Sequence, residues 1–163
     1  MVRKFKPGVT VAGVIHDKGR YLLVEEQTSD GLKLNNPAGH LERGESPVQG
    51  CAREVLEETA HVFTAQALLG VYLSRFQRGA ADDDVTYMRI AFIGKVGPPV
   101  HGQKLDEGIV RTLWMTPDEM RANAHRMRSP LVLQCMEDHL KGKKYPLEVI
   151  TTHVSVFEAL DLA

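Results

Sequence analysis

The chain has 163 residues, 43% of them hydrophobic and 25% charged, and carries a formal net charge of −1. That balance fits a water-soluble domain with one core and excludes a broad basic surface for nucleic acid or an anionic membrane. Nothing approaches the ~20 consecutive apolar residues of a membrane span, and Cys51 and Cys135 stand in no CxxC or Cys/His spacing. Reduced thiols and a cytoplasmic setting are expected.

Val9 to Ile15 and Tyr21 to Glu25 are β-branched or aromatic-rich runs, and Asp17-Lys18-Gly19-Arg20 between them reads as a hairpin turn. Leu32 to Glu45, rich in Asn, Pro and Gly, reads as an ordered loop with a short strand at Leu32 to Leu34. Ser46 to about Thr59 carries the clearest helix signals. Ser46 serves as N-cap, and Pro47 occupies the first helical position, where a missing N–H costs nothing. Val48, Cys51, Ala52, Val55 and Leu56 fall on one arc, which should face the core.

Ala67 to Phe76 and Val85 to Val96 read as strands joined by a turn at Gly79 to Asp84, and Thr112 to Met115 as a further short strand. Thr116-Pro117-Asp118-Glu119 starts a helix with a capping box, and a last helix runs from about Ser129 to Lys141. Tyr145 to Ile150 is expected to extend back over the body. No repeat or linker divides the chain. The expectation is one α+β domain over residues 1–163, core about 6–150, with helices packed on a mostly antiparallel, partly mixed sheet.

The chemistry concentrates on the first helix. Glu54, Glu57 and Glu58 stand at i, i+3 and i+4, so three carboxylates leave one side of the helix together. They repel one another, and near the helix C-terminus they also oppose the macrodipole. A local violation of this kind tends to mark function, and a hard cation that takes oxygen ligands reverses its sign. The plainer alternative is a solvated acidic face with Arg53 paired to Glu57 at i,i+4.

The preceding loop decides between them. Gly39, five residues, Glu45, seven residues and Arg53-Glu54-Val55-Leu56-Glu57-Glu58 form one long pattern. It resembles the box that marks the Nudix hydrolases, which cleave nucleoside diphosphates linked to another group. The sequence departs from it at the end, where Thr59-Ala60-His61 stands in place of Gly and an aliphatic residue. Either Ala60 adopts the left-handed conformation at a cost of about 1 kcal/mol, or the helix ends differently. Val62 or Phe63 then takes the aliphatic role.

Lys6 to Ala12, Asn36 to Glu42, Arg128 to Val132 and Tyr145 to Glu148 are similar to stretches of the NudJ-type Nudix phosphatases, so the likeness covers about residues 6 to 150. The resemblance implies a Nudix α/β/α sandwich built around the loop–helix–loop. It also implies metal-dependent release of orthophosphate from nucleoside tri- and diphosphates, and from hydroxymethylpyrimidine pyrophosphate and thiamine pyrophosphate, with Mg²⁺ or Mn²⁺. The implied partner is a small nucleotide or pyrophosphate, and the chain acts as monomer or homodimer. Other outcomes are a Nudix specificity for ADP-ribose or dinucleoside polyphosphates, and a non-catalytic nucleotide-binding domain.

By the same resemblance, Glu57, Glu58 and the Gly39 carbonyl hold metal, and Glu54 is a further ligand or the base that deprotonates water. Arg53 belongs to the catalytic group by holding a loop carboxylate, and Glu45 is that supporting carboxylate. A further ligand from a later loop is expected at Glu107, with Asp106 beside it as the other candidate. His40, Arg89 and Tyr87 are expected at the substrate, and Arg128 and Phe76 are further candidates, Phe76 more readily as core. Asp82, Asp83 and Asp84 read as turn residues.

Overall fold

The computed structural model describes residues 4–77 and 84–159. Strands β1 (Gly8–Asp17) and β2 (Arg20–Thr28) meet at the expected hairpin. Lys18 and Gly19 there take φ of 47° and 77°, as a two-residue turn matched to the strand twist requires. There follow β3 (Gly31–Asn35), β4 (Ala38–His40), α1 (Pro47–Thr59), β5 (His61–Gln77), β6 (Asp84–Pro99) and β7 (Ile109–Met115). Helices α2 (Pro117–Ala122) and α3 (Pro130–Leu140) close the body, with single 3-10 turns at Ala124–Arg126, Leu147–Val149 and Val154–Val156.

Strands β5 and β6 are longer than the alternation of the sequence suggests. The register slips at three places along β5, near His61/Phe63, Ala65/Ala67 and Leu68/Gly70. Each bulge breaks the period of two, so the first part of β5 shows no strand alternation in the sequence. The expected turn at Gly79 to Asp84 lies, apart from Asp84, outside the described residues. Asp84 itself opens β6 and pairs with Arg75.

The sheet is mixed. Its strands run β4-β1-β6-β5 on one side, with β1 and β6 parallel, and β1 continues through the hairpin into β2, which carries β3 and β7. α1 covers one face, where Cys51 and Val55 pack with Val11, Ile15, Leu22, Phe63 and Phe92. α3 covers the other, where Val132, Cys135 and Met136 pack with Val14, Tyr21, Leu69 and Tyr72. The result is an α/β/α sandwich. Both cysteines are buried free thiols, and no helix among the described residues is long and apolar enough to cross a membrane.

α1 begins as its sequence suggests. The Ser46 hydroxyl accepts from the Gln49 N–H, and the Gln49 side chain reaches back to the Ser46 N–H, completing a capping box. It ends on Ala60, at φ 59° and ψ 24°, whose N–H donates to the Leu56 carbonyl. Alanine thus takes the left-handed position that glycine fills more cheaply. Phe63 enters the core while Val62 stays 56% exposed. Further on, Tyr145 exchanges two backbone hydrogen bonds with Leu68, and Leu147 and Ile150 rest on the α1-side core.

Candidate active site

Arg53 lies at the centre of a charged network on α1. Its Nε and one terminal nitrogen donate to the two oxygens of Glu45 at 2.9 and 2.8 Å. The other terminal nitrogen donates to Glu54 at 2.8 Å and Glu57 at 3.1 Å, while the nitrogen shared with Glu45 also donates to the His40 carbonyl at 3.0 Å. Glu45 also accepts from the Glu42 N–H at 2.7 Å. One planar guanidinium therefore fixes the loop, the strand β4 and the helix against each other. Arg53 in turn holds the Glu45 carboxyl below the usual carboxylate range.

Around that hub the carboxylates outnumber the cations. Oxygens of Glu54, Glu57 and Asp106 lie within 4.8 Å of one another. Gly39 runs directly over Glu54, where a Cβ would meet the carboxyl carbon at 2.2 Å. Glu54 and Glu58 are only 8% and 7% exposed. Burial raises the Glu54 pKa in spite of Arg53. Burial also pushes Glu58 up to about 8, with Glu26, Glu54 and Asp106 adding repulsion against the one Ala38 N–H that donates to it at 3.1 Å. Carboxylate oxygens in this number, two of the acids buried and one guanidinium serving Glu54 and Glu57, suit a hard divalent cation.

Beyond β4, on the α3 side of the sheet, lies a cavity of about 450 Å³. Ala38, Gly39 and His40 form its border with the acidic group. Tyr87 stands 5.9 Å from the His40 ring and 5.8 Å edge-on from Phe76. Arg89, Arg128, Glu26, Asn35 and Ser129 supply the polar wall.

The Nudix domain pattern matches residues 4–134. The chain belongs to the Nudix family. It is 36% identical over 146 residues to phosphatase NudJ of Escherichia coli K12, covering 90% of this chain and 92% of that protein. The Shigella flexneri phosphatase NudJ matches with the same identity and coverage. Among solved structures, a Nudix hydrolase from Nitrosomonas europaea superimposes with a TM-score of 0.83 at 48% identity, covering 91% of this chain and 98% of its own. The chain is accordingly a hydrolase of phosphorus-containing anhydrides.

The fold brings Gly39, Glu45, Arg53, Glu54 and Glu57 of the Nudix box into contact. Glu58 stands apart from the three-carboxylate group, turned toward β4. The later-loop carboxylate in that group is Asp106, not the Glu107 expected above. The Asp106 N–H donates to the Glu57 carbonyl at 2.9 Å, which ties this residue to the helix end, while Glu107 is exposed at the turn that follows. His40, Tyr87, Arg89 and Arg128 all line the cavity. So does Phe76, which the pattern places more readily in the core.

Glu26, Asn35 and Asn36, which hold the arginines of this wall, and Ser129, which lines it beside them, were not singled out by the sequence. One signal was present: Glu25-Glu26 and Asn35-Asn36 are polar pairs closing apolar strands.

Proposed function

We propose that this chain removes the terminal phosphate from nucleoside tri- and diphosphates and from related small pyrophosphates such as hydroxymethylpyrimidine pyrophosphate and thiamine pyrophosphate, releasing orthophosphate with Mg²⁺ or Mn²⁺. The observation that carries this reading is the converging oxygens of Glu54, Glu57 and Asp106, with the buried Glu58 on the β4 side of the same helix, beside a cavity able to take a small organic group. Relatives matched over nine-tenths of the chain are named phosphatases, which supports the terminal cleavage.

The residues fit a divalent cation. Glu54, Glu57 and Asp106 offer converging oxygens, and the missing Cβ of Gly39 leaves its backbone close over them. Glu58 joins from the β4 side. When bound, such an ion acidifies water and neutralises charge on phosphate oxygens.

The protein's own part is positioning and proton transfer. Arg53 engages one oxygen each of Glu54 and Glu57, leaving the second oxygen of each free. Glu54, whose pKa burial raises, takes the proton of the attacking water. The water oxygen bonds to the terminal phosphorus, the bridging P–O bond breaks, and the shortened phosphate leaves with that electron pair. Tyr87 and Phe76 receive the organic half against their rings.

A screen of orthophosphate release settles the reading. Nucleoside tri- and diphosphates, thiamine pyrophosphate and ADP-ribose are each incubated with Mg²⁺ or Mn²⁺. Orthophosphate from a nucleoside diphosphate is expected; AMP from ADP-ribose, with no orthophosphate from the others, would overturn it.

A further inference from the structure

The α3-facing side of β5 and β6 is graded. Its cross-strand pairs run Phe76/Val85, Ser74/Tyr87 and Tyr72/Arg89. Exposure falls along that ladder from 37% at Val85 to 6% at Arg89. Rings therefore form the outer part of the cavity, and Arg89 stands on the innermost rung that still lines it.

A guanidinium so deeply placed ordinarily meets a carboxylate, because an uncompensated buried charge is costly. Arg89 does not. Its terminal nitrogens donate to the amide oxygens of Asn36 and Asn35, each at 3.0 Å, and its side chain also bonds that of Cys135, while Glu26 and Glu58 act on it only through charge without a direct ion pair. The carboxylate that shares the cavity, Glu26, is already engaged by Arg128 at 3.1 Å and by the Asn35 amide nitrogen at 3.3 Å. The cavity wall thus presents two guanidiniums against one carboxylate. Burial works against the Arg89 charge and lowers its pKa. Ser129, at the N-cap of α3, adds a hydroxyl and the positive end of an 11-residue helix to the same wall.

We infer that this end of the cavity is a second phosphate seat, separate from the acidic helix, in which Arg89 receives an anionic phosphate oxygen and Arg128 and Ser129 stand beside it. The occupant is either a phosphate carried on the organic half of the substrate or the orthophosphate just released. The inference rests on the hydrolase reading for its purpose, but its test does not.

Binding of inorganic phosphate is measured by calorimetry in EDTA, where the carboxylates of α1, without a cation, repel the anion. Wild type is expected to bind, Arg89→Gln to bind about tenfold more weakly or worse, and Arg89→Lys to retain most of the binding. Circular dichroism and melting temperature check that the variants fold. Arg128→Gln, at a more exposed position, gives a second and smaller loss if Arg89→Gln does not fold.

Two arms separate the sources. If the seat serves the substrate, adenosine 3′-phosphate 5′-diphosphate has a KM about tenfold below that of ADP in wild type and not in Arg89→Gln or Arg128→Gln. If it serves the product, orthophosphate inhibits ADP hydrolysis and the inhibition weakens in the same variants. Failure of wild type to bind phosphate in EDTA, or undiminished binding in folded Arg89→Gln, overturns the seat while leaving phosphate release as evidence on the hydrolase.

Discussion

Glu25 on β2 and Glu58 on α1 are both nearly buried carboxylates, at 5% and 7% exposure, yet their surroundings are opposite. Glu25 has two cations to itself: Arg111 donates at 3.0 Å, and Arg126 pairs with its other oxygen. Those arginines hold the Glu25 pKa down. Glu58 has one N–H, and burial, with three neighbouring acids adding to it, raises its pKa to about 8. Arg53, on the same helix, is spent on Glu45, Glu54 and Glu57. A carboxylate given its own counter-charge serves the fold; one left short of counter-charge asks for a cation from outside.

The sharpest way to break the contrast is Glu57→Gln. On the proposed reading it lowers the turnover of a nucleoside diphosphate by on the order of 10²-fold, with melting temperature within a few degrees of wild type. Glu25→Gln should leave turnover unchanged. Equal turnover in wild type and Glu57→Gln would remove the acidic helix from the chemistry.

Metal titration follows in size. Adding Mg²⁺ at about 100 times its dissociation constant stabilises wild type by about 2.7 kcal/mol, and EDTA reverses the gain. Glu57→Gln should show a much smaller rise in melting temperature, while Glu25→Gln keeps the full rise. A Mg²⁺ response lost in Glu25→Gln but kept in Glu57→Gln would invert the comparison.

The Glu25 ion pairs contribute about 1 kcal/mol, because Arg111 is largely exposed and solvent screens it. Their pH dependence has a definite sign. The folded pKa lies below the unfolded one, so the contribution is complete above the ordinary value near 4.3 and fades as pH falls through the folded value. Urea unfolding should therefore separate wild type from Glu25→Gln at pH 7, and the gap should shrink steadily as the pH is lowered through the acid range. A gap that widens on acidification would contradict the assignment.

The two regions were unequally legible in the sequence. The Nudix box is contiguous, so Gly39, Glu45, Arg53, Glu54 and Glu57 could be named from spacing and resemblance alone. The Glu25 triad joins residues 86 and 101 positions apart, and no local pattern announces it. The choice between Asp106 and Glu107 turned on one backbone hydrogen bond to Glu57, which sequence does not display. Helix α1 was readable through Ser46 and Pro47, because caps are local. The extent of β5 was not, because bulges interrupt its alternation.

The smallest effect concerns the exit from the acidic helix. Ala60 holds a left-handed backbone, and its carbonyl accepts from the Val100 N–H at 2.6 Å, so the conformation is anchored from both sides. A left-handed alanine costs about 1–2 kcal/mol, of which glycine's extra freedom in the unfolded chain returns part. Ala60→Gly should therefore raise stability by about 0.5–1 kcal/mol in urea unfolding and leave turnover and the Mg²⁺ response alone. The variant separates shape from chemistry at this helix end: Glu57 and Glu58 lie within three residues of Ala60, and a change in turnover on Ala60→Gly would mean that the strained exit helps aim them. Unchanged turnover with higher stability would mean that the departure from the family's glycine costs the fold and spares the ligands.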